Sequence, residues 1–140
     1  MKVLQENPLP VRAVRFYAVG GLGIAVQLAV VWLLRDGAGI NLSLATALAV
    51  ETALLHNFAW HECWTWKDRQ ASWSERLGRL LRFHASNGLI SLAGNLILMK
   101  VLHDGLGVHY LIANATSIVI CSVVNYFASE YFVFRQPAAD

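Results

Sequence analysis

Charged side chains are scarce in this sequence, and their scarcity limits what it can be. Only 14% of its 140 residues are Asp, Glu, Lys or Arg, where soluble domains carry about 25%. Hydrophobic residues make up 56%. So short a chain cannot bury that much apolar surface in water, because small domains leave a large share of their area exposed. Lipid is the simpler solvent. The formal net charge of +2 is too small for a nucleic-acid footprint. Cysteine is limited to Cys63 and Cys121, with no CxxC or Cys/His spacing, which argues against a zinc site or a disulfide framework. The pair reads as two free thiols that pack as small hydrophobes. No P-loop, nucleophile elbow or paired-carboxylate site is present. The expectation is a protein that is not an enzyme, uses no cofactor or metal, and is not by itself an ATP-driven pump. No cleavable signal peptide is expected, since the first apolar stretch is long enough to span and no small-residue cleavage site follows it.

What is present is apolar length. Four stretches of equal length stand out: Phe16–Leu34, Leu42–Trp60, His84–Leu102 and Tyr110–Ala128. Each is close to the length of about 20 residues that a helix needs to cross a hydrocarbon core, and lipid cannot satisfy the backbone of an open strand. The fold class expected is an all-α membrane protein with four transmembrane helices, forming one membrane domain over residues 1–140. The connections Arg35–Asn41 and His103–His109 are short and carry Gly37, Gly39, Gly105 and Gly107, so each closes a tight hairpin. The middle connection, His61–Phe83, is longer and charged. Within it, Trp73, Leu77, Leu80 and Leu81 fall at helical spacing against Arg76, Arg79 and Arg82. That pattern predicts a short interfacial amphipathic helix between the second and third spans.

Lys and Arg set the orientation. Nine of them lie in the N-terminal tail, the middle loop and the C-terminal tail, from Lys2, Arg12 and Arg15 to Arg135; the two tight loops hold only Arg35 and Lys100. By the positive-inside rule both termini and the middle loop are cytoplasmic.

The halves resemble each other. Arg15-Phe16 and Arg82-Phe83 open the odd spans at an offset of 67 (82 − 15), and Gly21 and Gly88 keep that offset. Later pairs stand at an offset of 68: Ala45 with Ala113, Asn57 with Asn125, Glu62 with Glu130, Trp64 with Phe132, Trp66 with Phe134, Lys67 with Arg135. One extra residue in the second tight loop is the expected cause of the slip. The reading is two helix-hairpin repeats, over positions 15–67 and 82–135, of the same topology and related by an axis along the membrane normal, as in parallel-repeat transporters.

This order of features resembles the GtrA-like family of small four-helix membrane proteins. The residues that carry the resemblance are Arg15-Phe16-Tyr17-Ala18-Val19-Gly20-Gly21, Asn57-Phe58 running into Trp64-Thr65-Trp66, Tyr110-Leu111-Ile112-Ala113-Asn114, and Asn125-Tyr126 running into Phe132-Val133-Phe134-Arg135. The resemblance implies a role in cell-surface polysaccharide synthesis: a flippase that moves a polyprenyl-phosphate-linked monosaccharide, such as undecaprenyl-phosphate glucose, across the bacterial cytoplasmic membrane. The alternative it implies is a membrane anchor or accessory partner of a polyprenyl-phosphate glycosyltransferase. Partners are then the lipid-linked sugar, membrane lipids, a glycosyltransferase in the alternative, and further copies of this chain, since four short helices enclose little space. His56, His61 and His84 at the inner membrane ends depart from the usual pattern. A small multidrug exporter shares the size and a membrane Glu, but its key Glu lies in the first span and it lacks this repeat.

Arg15, Arg82, Lys67 and Arg135 mark the cytoplasmic span ends, at the depth of a lipid phosphate. Guanidinium groups bind phosphate oxygens bidentately, though setting topology and attracting anionic lipid would need the same charges. Inside the spans, Asn114, Ser117, Cys121 and Asn125 form one stripe, and His84, Asn87, Ser91 and Asn95 another. The first-half equivalents of the latter are Tyr17, Gly20, Ile24 and Leu28, mostly apolar. Asn57, Asn87, Asn95 and Asn125 are therefore candidates for substrate contact, with helix–helix hydrogen bonding as the competing role. Glu51 sits mid-span, where an ionised carboxylate costs roughly 3 kcal/mol. Three roles stand open for it: a proton-coupling site, a buried partner for a neighbouring polar group, or a protonated packing carboxyl.

Overall fold

The computed structural model describes residues 7–136, apart from the side chains at positions 42, 43, 46, 110, 111 and 114. Lys2 and the side chains of Thr46, Tyr110, Leu111 and Asn114 therefore lie outside the described residues. The described chain is helical, in four long helices. Helix α1 is Leu9–Gly37, α2 is Leu42–Trp60 extended by one wide turn at His61–Thr65, α3 is Trp73–Gly105, and α4 is Tyr110–Ala128 extended by Ser129–Val133. Among the described residues, three stretches are long and apolar enough to cross a membrane: Leu9–Gly37, Trp73–Gly105 and Ala115–Val133. The chain is a multi-pass membrane protein. It divides into two compact units, Met1–Gln70 with α1 and α2, and Ala71–Asp140 with α3 and α4.

Local chemistry sets the helix starts. Pro8 and Pro10 stand at the head of α1, where the missing N–H groups would have had no intrahelical partner. The Asn41 side chain accepts from Leu44 N at 2.9 Å and caps α2. Ser72 and Glu75 form a reciprocal capping box at the head of α3, satisfying two otherwise orphaned donors. The amphipathic segment Trp73–Phe83 is helical as expected, with Trp73, Leu77 and Leu81 exposed and Arg79 buried. It is not a separate element, however. His84 keeps helical angles, and the chain winds through a π-turn at His84–Gly88 into Leu89–Met99 without a break. No proline interrupts it.

The tight turns are built alike. Ala38, Gly39 and Ile40 donate to the carbonyls of Leu33, Arg35 and Leu34; Leu106, Gly107 and Val108 donate to Val101, His103 and Leu102. Gly39 and Gly107 reverse the chain at φ +69° and +66°, a region open to glycine without cost. Every bond of the first turn recurs in the second at an offset of 68 (106 − 38), so the two turns are equally long. The second loop therefore does not contain the extra residue expected of it. From Arg15 to Leu33 the first helix is α-helical up to Trp32, whereas the path from Arg82 to Val101 includes the π-turn His84–Gly88. A π-turn absorbs one inserted residue in a helix. The slip from 67 to 68 lies there.

Packing within each unit relies on small residues, as in lipid, where burying apolar surface gives no drive to associate. Ala45, Ala49 and Ala53 are buried along one face of α2, and Ala113, Ser117 and Cys121 along α4. The Ser117 hydroxyl donates back to Ala113 O at 2.8 Å. A Cβ on Gly23 would lie 2.6 Å from Asn57 Nδ2, and one on Gly94 2.6 Å from Cys121 Sγ, whereas Gly21 has nothing within 4 Å. Gly23→Leu is expected to cost about 1–3 kcal/mol of stability through overpacking and to lower the thermal midpoint in detergent. Gly21→Leu, on an exposed face, should leave that midpoint unchanged.

Candidate functional site

The geometry shared by the two units sits where the helices of each meet at their arginine-bearing ends. In the first unit, Phe16 is buried and stacks on His61 at 4.8 Å, with Trp66 edge-on at 6.1 Å. The His61 ring nitrogen Nδ1 pairs with Thr65 Oγ1 at 3.0 Å, so His61, expected at the membrane interface, is instead part of the packed end of the unit. One turn before Phe16, Arg12 is buried and holds Asp68 at 2.7 Å. Asn7 adds its backbone N–H at 3.3 Å and its side-chain amide at 3.4 Å. Burial pushes the Asp68 carboxyl up, but hydrogen bonds from Arg12, its own backbone and Asn7, with the Arg12 charge, hold it below the usual 3.8. Arg15 donates to Trp64 O at 3.0 Å and lies over the Trp64 ring at 5.5 Å. Pro10, Val11 and Val14 form a shallow apolar groove beside that pair.

The second unit repeats the plan with different fittings. Phe83 is buried against Phe134 at 6.4 Å. Arg79 is buried and lies over the Phe134 ring at 5.7 Å. Arg82, half-buried, donates to Val133 O at 3.2 Å, while its Nε is shielded and has no hydrogen-bond partner among the described residues. Lys67 and Arg135 are exposed. Glu130 is buried and Glu62 half-buried.

Arg12 and Arg79 belong to this geometry, although the sequence reading marks them only as tail and loop charges. The signal is present: Arg12-Ala13-Val14-Arg15-Phe16 and Arg79-Leu80-Leu81-Arg82-Phe83 are both Arg-x-x-Arg-Phe. Three positions apart on a helix, the two arginines of each set share a face.

Deeper along the helices, Asn57 packs against Gly23 and its Oδ1 lies 3.2 Å from His56 Nδ1. In the second unit Asn125 is buried and donates from Nδ2 to Ser91 Oγ at 3.0 Å. Asn57 meets position 23 and Asn125 meets position 91, so these contacts correspond at an offset of 68 (91 − 23). Beyond the π-turn the counterparts of Ser91 and Asn95 are therefore Gly23 and Gln27, not the Ile24 and Leu28 expected from the sequence. Asn95 donates to its own helix at Ser91 O, 2.7 Å. Asn87 Nδ2, Asn95 Oδ1 and Asn125 Oδ1 are buried atoms with no hydrogen-bond partner among the described residues. Glu51 lies on an exposed face of α2, off the Ala45–Ala49–Ala53 stripe.

Comparison with known proteins fits this arrangement. Residues 15–134 match the family model described as GtrA/DPMS, transmembrane domain. The matched region begins at Arg15 and ends at Phe134, the two borders of the aromatic–arginine ends described above. A dolichol-phosphate mannosyltransferase from Pyrococcus furiosus is 39% identical over 121 residues, covering 86% of this chain and 33% of that protein. The chain thus spans about a third of the length of that relative. On the strength of a match over nearly its whole length, the chain belongs to the GtrA/DPMS transmembrane-domain family.

Proposed function

We propose that this protein moves a polyprenyl-phosphate-linked sugar across the bacterial cytoplasmic membrane. In this reading it has four transmembrane helices in two copies of one helix hairpin, with both termini cytoplasmic. The turn hydrogen bonds that recur at one constant offset, and the paired Arg-x-x-Arg-Phe starts, support the two copies. The observation that carries the function is Arg82. It is half-buried and anchored by one Nη to Val133 O, which fixes its planar fork at the helix level where, in this reading, a lipid phosphate lies. A preorganised guanidinium with donors to spare is what phosphate recognition requires. Arg15 would take the corresponding part in the first copy, beside exposed Lys67, and Arg135 adds an exposed charge in the second that attracts anionic lipid.

A second reading is favoured by the Pyrococcus furiosus relative, a dolichol-phosphate mannosyltransferase. There the chain would be the membrane component that serves a polyprenyl-phosphate glycosyltransferase and would transport nothing. Proteoliposomes holding only this chain separate the two. Passage of a labelled polyprenyl-phosphate hexose from outer to inner leaflet supports transport. Absence of passage, together with enhanced glycosyltransferase activity on co-reconstitution, supports the partner role.

Glu51 bears on the energy source. A carboxyl on an exposed mid-helix face costs roughly 3 kcal/mol in hydrocarbon when ionised, which favours a proton-carrying group. Glu51→Gln is expected to leave membrane insertion intact and to reduce transport driven by a pH gradient about fivefold or more. Unchanged transport across pH would remove proton coupling from this reading.

A further inference from the structure

We infer that Asn87, Ser91, Asn95 and Asn125 of the second unit form a binding site for the hydroxyl groups of a sugar. The inference rests on the lipid-linked sugar proposed above and names the part of the protein that reads the sugar rather than the phosphate.

The first observation is unmet hydrogen-bonding capacity. An Asn side chain offers two donors and an acceptor with two lone pairs. Asn125 uses one donor on Ser91 Oγ, and Asn95 uses one on Ser91 O. The carbonyl oxygens of both, and the amide nitrogen of Asn87, are shielded without a hydrogen-bond partner among the described residues. A buried amide left unmet forfeits its hydration with nothing in return. Two acceptors and a donor within one helix pair match a polyol, whose hydroxyls each donate and accept.

The second observation is that the helix pair does not need these groups. In the first unit the place of Ser91 is taken by Gly23, which simply lets Asn57 approach. That pair closes without a hydroxyl there. The second unit also has the π-turn His84–Gly88, which includes Asn87 and has no counterpart at that level of α1. π-turns inside α-helices concentrate at functional sites. Here the insertion changes the register beyond it, bringing Ser91 rather than its neighbour opposite Asn125.

The third observation is distance along the helix. At about 1.5 Å of rise per residue, Asn87, Ser91 and Asn95 stand about 7 Å, about 13 Å and about 20 Å beyond Arg82. A phosphate held at Arg82 would present its sugar at the turns of Asn87 and Ser91, and Asn95 would meet the sugar once the phosphate has moved inward from Arg82. The neutral amides and hydroxyl suit a neutral hexose and offer no charge to a second phosphate.

Equilibrium binding in nanodiscs of fixed lipid composition tests this, with two probes: polyprenyl phosphate bearing a neutral hexose, and bare polyprenyl phosphate. Wild type should hold the hexose-bearing lipid about tenfold more tightly. Asn87→Leu should cut most of that preference and Asn95→Leu a smaller part of it, and both should leave affinity for the bare lipid unchanged. Asn95→Gln keeps an amide of the kind found at Gln27 and should retain part of the preference, which covers the case of a poorly folding Leu variant. Equal wild-type affinity for the two probes would overturn the sugar site while leaving phosphate binding standing. Parallel loss of both probes in the variants would assign the amides to helix pairing and overturn it as well. If wild type binds neither probe, the transport reading itself falls, and the sugar site with it.

Discussion

Asp68→Asn is expected to lower the stability of the first unit by about 3 kcal/mol, the scale for removing one member of a buried ion pair. The cost arises mainly from what is left behind. Arg12 is 3% exposed, and its guanidinium would keep its charge with only a neutral amide in place of the carboxylate now at 2.7 Å. Asp68 also accepts from Asn7 at both oxygens, and an asparagine keeps only one of these acceptors, so the substitution also weakens the tie between Asn7 and position 68. Thermal unfolding in detergent reads this directly. Arg12→Met with Asp68→Leu should recover much of the loss, because neither charge then remains buried. A midpoint for Asp68→Asn indistinguishable from wild type would show that the pair carries no stability.

The same pair predicts an acid limit. The Asp68 carboxyl is held below 3.8 in the folded protein, so the unfolded chain binds its proton more readily. Stability from this group is complete above the unfolded value of 3.8 and is lost as pH falls through the lower, folded value. From about pH 8 to about pH 5 it should therefore contribute constantly, and the decline should begin only below about pH 4. Asp68→Asn should remove this part of the acid dependence. In the repeat Gln136 takes the place of Asp68, so this particular ion pair belongs to the first unit.

Much of this architecture is legible in the sequence because membrane helices are written in length and in breakers. The apolar runs and the glycines at 39 and 107 fall where the helices and turns are found, whereas Arg15-Phe16 and Arg82-Phe83 lie inside helices that already begin at Leu9 and Trp73. The π-turn is not legible. An offset that changes from 67 to 68 reveals an insertion, and the pairs Leu34 with Leu102, Asp36 with Asp104 and Gly37 with Gly105 place it before the second turn, but nothing in the residue pattern says that the helix absorbs it as a π-turn. The roles of Arg12 and Asp68 are hidden for a different reason. Their pairing joins positions 56 apart, and no local pattern states which charge of a tail will be buried. Glu51 stands out as a mid-span acid, yet its exposed face follows from which side of α2 meets α1, information held by both helices together.

The sharpest test of the site sets Arg82→Ala against Arg76→Ala. Both substitutions remove one positive charge from the same helix, less than two turns apart. If these arginines only attract anionic lipid, the two losses should be similar, because each charge near the surface contributes about the same amount. Arg76 is exposed beside Trp73, whereas Arg82 is half-buried and fixed by Val133 O. Losing hydrogen bonds between a charged donor and a phosphate costs about 1.5–3 kcal/mol. Arg82→Ala should therefore weaken binding of bare polyprenyl phosphate by about 10- to 100-fold, and Arg76→Ala by less than about threefold. Arg82→Lys separates charge from geometry. A lysine keeps the charge but not the planar fork that meets two phosphate oxygens, so it should recover only a small part of the loss. Full recovery with Lys, or equal effects at positions 76 and 82, would return Arg82 to the general basic belt of the membrane surface. Retention of the difference at high salt, where surface attraction is screened, would place the phosphate at the anchored guanidinium itself.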